Sequence, residues 1–114
     1  MNENSQNLYE GMYIISASLS DDARKKALEK IKAGIQSKNG SIEGELDMGR
    51  RRLAYEIEGH REGHYALIFF KVPADAIAEL WKEYHLNEDL VRFMTIRTES
   101  VKEKLEFKTL VEVQ

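Results

Sequence analysis

The sequence predicts a two-layer α+β sandwich: a four-stranded antiparallel sheet with two helices on one face, in the order β-α-β-β-α-β. Three observations predict it. Two stretches place apolar residues at helical spacing. Four others are apolar or alternate at period two, and a tight turn joins only the second and third of those four. Two helices of similar length on an apolar sheet face give two layers. Right-handed crossovers then set strand one in the middle of the sheet and strands two and four at its edges.

Each element has its own warrant. Leu8 to Ile15 (LYEGMYII) is rich in aromatic and β-branched residues and apolar on both faces, as a central strand covered on each side would be. Ser20 offers an N-cap, with Asp21 and Asp22 at the positive end of a helix dipole. Ala23, Ala27, Leu28, Ile31 and Ile35 form the stripe of that helix, and Asn39-Gly40 supplies the left-handed residue that ends it. From Ser41 to Glu58 the pattern is extended, with Ile42, Leu46 and Met48, then Leu53, Tyr55 and Ile57 at period two. Gly44 and Gly49 mark bulges in it. Glu58 to Gly63 reads as the turn. His64 to Val72 is the third strand, with Tyr65, Leu67, Phe69 and Lys71 on one face and His64, Ala66, Ile68, Phe70 and Val72 on the other. Pro73 suits the first turn of a second helix, whose stripe is Ile77, Leu80, Trp81 and Tyr84 and whose end is Asn87. Leu90 to Thr98 (LVRFMTIRT) is the last strand. The arrangement is the ferredoxin-like sandwich, over residues 8–99, between a polar leader (1–7) and a charged tail (100–114).

Composition narrows the function classes. One hundred and fourteen residues make one domain with an adequate core. The absence of cysteine excludes disulfides, a thiolate nucleophile and cysteine-based zinc sites, and fits a reducing cytoplasm. The segment MNENSQN lacks the pattern of a secretory signal, and no apolar run approaches the ~18 residues of a spanning helix, so a soluble chain is expected. A net charge of −3 argues weakly against nucleic-acid binding, but the distribution matters more than the total. Arg50, Arg51 and Arg52 are adjacent, and Arg92 and Arg97 share the last strand.

The stretch from Gly49 to Phe70 concentrates the functional signal. With both helices on one side, Tyr65, Leu67 and Phe69 are expected to project from the uncovered sheet face, and an exposed apolar face generally has a partner. Alternation puts Arg50 and Arg52 on one side of their strand and Arg51 on the other. Arginines on an edge strand can serve merely to block aggregation. Three in a row exceed that need, and the planar guanidinium is the preferred donor to phosphate.

Catalytic motifs are missing: there is no Walker-type loop, G-x-S-x-G or H-E-x-x-H. His60 and His64 flank a turn and read as solvated, not as metal ligands, and His85 reads as a helix-end contact. Glu56 and Glu58 are a chance pair among twenty carboxylates. An acylphosphatase-type site would need an Arg in the loop after strand one, yet SASLSD has none. Strand three partly matches the RNP1 pattern of RNA-recognition domains, which share this element order. It places Leu67 where a ring is usual and shifts Gly63 by one residue, so stacking of single-stranded bases is the second reading, not the first.

Several blocks together resemble the bacterial ribosomal protein S-six (S6) family. They are Tyr9-Glu10, Gly40, the run Gly49-Arg50-Arg51-Arg52-Leu53-Ala54-Tyr55-Glu56-Ile57, Gly63-His64-Tyr65, Pro73 and Leu90-Val91-Arg92-Phe93-Met94. The resemblance spans Leu8 to Thr98, with Gly11 departing from an apolar position. It implies a non-catalytic constituent of the small ribosomal subunit, cytoplasmic and without cofactor or metal. It further implies a heterodimer with ribosomal protein S-eighteen (S18), bound to the central domain of the small-subunit ribosomal RNA. Mapped residue by residue, the partner surface is Tyr55, Tyr65, Leu67 and Phe69. The RNA contacts are Arg50, Arg51, Arg52, Arg92 and Arg97. A basic partner would supply much of the charge neutralisation, so RNA affinity of this chain alone is expected to be weak.

Overall fold

The computed structural model describes residues 6–101. Its elements are β1 (Asn7–Ser16), α1 (Asp21–Ser37), β2 (Ser41–Ile57), β3 (His60–Val72), α2 (Ala76–Leu86) and β4 (Leu90–Thr98). The strands run antiparallel in the order β2-β3-β1-β4, the ferredoxin-like arrangement, with β2 and β4 at the edges. The charged tail, apart from residues 100 and 101, and the leader, apart from 6 and 7, lie outside the described residues.

Both helices pack on one side of the sheet. Ser20 caps α1, its hydroxyl accepting the Ala23 N–H at 3.1 Å. Ala27, Ile31 and Ile35 of α1, with Ala76, Leu80 and Tyr84 of α2, bury Tyr9, Tyr13 and Ile15 of β1 and Ile68, Phe70 and Val72 of β3. Gly11 has a reason here. Tyr13 leans across it, so that a Cβ at Gly11 would stand 2.6 Å from the Tyr13 hydroxyl. That hydroxyl meets the Tyr84 hydroxyl at 2.8 Å inside the core. Burial raises the pKa of both phenols, that of Tyr84 to about 12.

The Asn39-Gly40 stop is as expected: Asn39 is left-handed (φ 63°), and Gly40 is needed because a Cβ there would meet the Ile35 carbonyl oxygen at 2.6 Å. Other local details differ from the sequence reading. Pro73 opens a turn, accepting the Ala76 N–H at 3.0 Å, and α2 starts only at Ala76. Ala76 takes the buried place expected of Trp81, which lies at the helix margin, 39% exposed. The Trp81 indole N–H donates to the Thr95 hydroxyl at 3.0 Å. The β2–β3 turn is the two residues Glu58 (φ 47°) and Gly59 (φ 85°), a type I′ geometry suited to the strand twist, so His60 to Gly63 belong to β3.

The largest correction concerns the second face. Tyr65, Leu67 and Phe69 do point away from the helices, but they are only 4%, 0% and 2% exposed. Beyond Arg52 the register of β2 breaks, and the end of the hairpin arches over this face. Leu53 and Ile57 pack there on Ile14, Tyr65, Leu67 and Phe69, with Leu8, Met12, Leu46, Met48 and Val91 completing a second core. The same break turns Tyr55 outward, 62% exposed, although it shares a period-two phase with its buried neighbours. The chain after β4 adds cover: Val101 lies 3.3 Å from where a Cβ of Gly44 would stand, beside Phe69.

Candidate nucleic-acid and partner interface

Besides the break after Arg52, two register shifts shape β2, between Ile42 and Gly44 and between Asp47 and Gly49, at the glycines expected to mark bulges. At the second, Gly49 takes φ 81° and its N–H donates to the Asp47 carboxylate at 2.9 Å. Burial pushes the Asp47 carboxyl up. The Gly49 N–H, His64 at 2.8 Å and Arg24 at 3.8 Å outweigh it, and the carboxyl titrates below its ordinary value.

Past this anchored bulge come the arginines. Arg50, Arg51 and Arg52 stand opposite His64, Gly63 and Glu62. Arg50 and Arg52 therefore share the helix side, and Arg51 takes the other, in line with alternation. Arg50 Nε donates to Glu62 at 2.6 Å on the surface. Arg51 is half-buried, its Nε donating to the Met48 carbonyl at 3.2 Å. Arg52 is exposed.

The arch of the hairpin brings in Arg92. It stands on the far edge strand, opposite Ile14, yet its Nη1 donates to the Tyr55 hydroxyl at 3.3 Å. Arg97 is not part of this group. Five residues further along β4, about 17 Å away, it pairs with Tyr9 and lies on the helix side. Sequence reasoning missed Arg61 by assigning it to the turn. It is a highly exposed strand residue beside the hairpin tip, 3.7 Å from Glu56.

Of the four residues expected to form a partner surface, Tyr55 alone is on the surface. Tyr65, Leu67 and Phe69 lie beneath the hairpin, so the rings of Tyr65 and Phe69 are not open to stacked bases either. Among the described residues of β4, the apolar side chains exposed on this side are Met94 (38%) and Ile96 (42%), and Val101 beyond it is 50% exposed. The alternation of LVRFMTIRT could have identified Met94 and Ile96.

The arrangement is suited to contact, not to acid–base chemistry. His60 and His64 lie four residues apart on an extended strand, about 13 Å, too far to share an ion. Among the described residues no group of three or more His, Cys, Asp or Glu could hold a metal. In the loop after β1 the Ser16 and Ser18 hydroxyls bond each other at 2.8 Å, and Arg24 is tied to Asp21 and Asp47.

Comparison with known proteins gives a consistent result. The family described as Ribosomal protein S6 matches residues 8–97. A small ribosomal subunit protein bS6 from Protochlamydia amoebophila is 62% identical over 114 residues, the whole of both chains. One from Chlamydia abortus is 56% identical over 112 residues, 98% of this chain and 100% of the other. The crystal structure of 30S ribosomal protein S6 from Thermotoga maritima superposes with a TM-score of 0.78 at 30% identity, covering 93% of this chain and 96% of that one. The C-terminal domain of the MgtC protein of Mycobacterium tuberculosis, at 12% identity and a TM-score of 0.58, shares the fold alone. On the family match and on full-length identity above one half, this chain belongs to the ribosomal protein S6 family.

Proposed function

We propose that the chain binds small-subunit ribosomal RNA, in its central domain, as a heterodimer with ribosomal protein S18. Membership of the S6 family gives the broader role: a structural, non-enzymatic constituent of the small ribosomal subunit, with ribosome association in the cytoplasm. The observation that carries the finer reading is the hairpin itself. Its anchored bulge presents Arg50, Arg51 and Arg52 in succession, and its arch draws Arg92 from the opposite edge of the sheet to Tyr55. Guanidinium groups held this way suit phosphate. Arg97 would make a separate contact at the other end of β4. The partner surface is centred on Tyr55, Met94 and Ile96, with Tyr65, Leu67 and Phe69 as its buried support.

The test is RNA binding by this protein alone and with S18, over a range of salt. Tight binding is expected only with the partner. Arg50–Arg52 replaced by Ala should weaken it and flatten the salt dependence, each lost phosphate contact reducing the slope by roughly 0.7 to 0.9, while the heterodimer persists. Strong, partner-independent binding to short single strands would overturn the proposal, as would an unchanged salt slope for the arginine contacts.

A further inference from the structure

We propose that the cavity of about 620 Å³ between the hairpin tip and the α2–β4 corner receives a guanidinium side chain from the basic partner protein. The inference rests on the S18 reading above and names the chemistry of one contact. The cavity exists because the hairpin arches: Glu58 at its tip lines it together with Trp81, His85 and Phe93. Phe93 is the hub of an aromatic cluster, edge-on to Trp81, Tyr84 and His85 at centroid distances of 5.5, 5.1 and 5.0 Å. Trp81 is held in place by its bond to Thr95 and remains 39% exposed.

The polar lining decides the occupant. The Tyr84 hydroxyl is engaged by Tyr13, and the Asn87 side-chain oxygen accepts the Asp89 N–H at 3.0 Å. Glu58 and Glu88 also line the cavity, and among the described residues their carboxylates have no hydrogen-bond or ion-pair partner. Arg92 opposes them in charge, but its guanidinium is already turned to Tyr55. Two carboxylates against one arginine leave the lining formally negative. That disfavours an RNA phosphate and favours a cation. A planar guanidinium can donate to a carboxylate through its fork of N–H groups and lie against aromatic faces, which makes arginine the better match than lysine.

Trp81 is the single tryptophan and so reports on the cavity directly. Full-length protein labelled with 5-fluorotryptophan is titrated with S18 and, separately, with a fragment of ribosomal RNA. Fluorine NMR follows the cavity, and size-exclusion chromatography follows the heterodimer. The resonance should move with S18 and not with RNA alone. The double variant Glu58→Lys/Glu88→Lys, both sites on the surface, should remain folded, bind S18 at least about tenfold more weakly and lose the shift, as expected for a central charged contact. Heterodimer formation with an unmoved resonance, or with unchanged affinity of the double variant, would overturn this inference and leave the S18 reading standing. Absence of any heterodimer would overturn both. A shift produced by RNA alone would reassign the cavity to nucleic acid.

Discussion

The two faces of the sheet bury similar side chains by different means. Ile68 and Phe70 lie under α1 and α2, elements whose apolar stripes exist to cover a sheet. Leu67 and Phe69, one residue out of phase, lie under Leu53 and Ile57, which belong to the same strand pair continued past its regular register. The first cover is made by separate elements; the second is made by the sheet itself. An apolar strand face is thus no proof of an intermolecular partner. Here the large apolar side chains left exposed are on the outside of the arch, at Tyr55, and on the edge strand, at Met94 and Ile96.

Deep substitutions test whether the two covers are equally tight. Leu67→Asp should prevent folding, since an unpaired carboxylate would be buried. Leu67→Ala should cost about 3 kcal/mol in urea denaturation, close to Leu80→Ala on the helix side, because both are 0% exposed. A loss below about 1 kcal/mol for Leu67→Ala alone would show that the hairpin does not seal its face. Leu53→Ala should cost about 2 kcal/mol and separate the covers kinetically. Amide exchange should accelerate in the hairpin, from Arg52 to Glu62, and not in α1; uniform acceleration would mean that the arch and the helical layer open as one unit.

Smaller effects sharpen the contrast. The helix side contains a buried polar pair, Tyr13 with Tyr84. Tyr13→Phe should cost about 1 kcal/mol by leaving one hydroxyl unpaired, and the double replacement by Phe should cost less than the sum of the singles. Smallest is the anchor of the arch. Because the folded Asp47 carboxyl titrates below its unfolded value of 3.8, its contribution is complete above that value and is lost as the pH falls through the lower folded one. Asp47→Asn should therefore destabilise at neutral pH by less than about 1 kcal/mol, the group being half exposed. Its denaturation midpoint should converge with the unsubstituted protein in acid; a constant gap across pH would assign the effect to packing.

Much of this molecule was legible in its sequence. Helical spacing identified Ala27, Ile31 and Ile35, and period two assigned Tyr65, Leu67 and Phe69 to the side away from the helices. Ser20, Asn87 and the bulge glycines could be read because capping and backbone bending depend on a few adjacent residues. The adjacency of Arg50 to Arg52 was equally plain. What the tertiary structure alone decided was coverage. Period two tells which way a side chain points, but whether it meets solvent depends on chain that arrives from elsewhere, and the break after Arg52 that lets the hairpin arch has no local signature. The same break turned Tyr55 outward, brought Arg92 to it and opened the cavity beside Trp81. Direction is a property of neighbours in sequence, and burial is a property of neighbours in space.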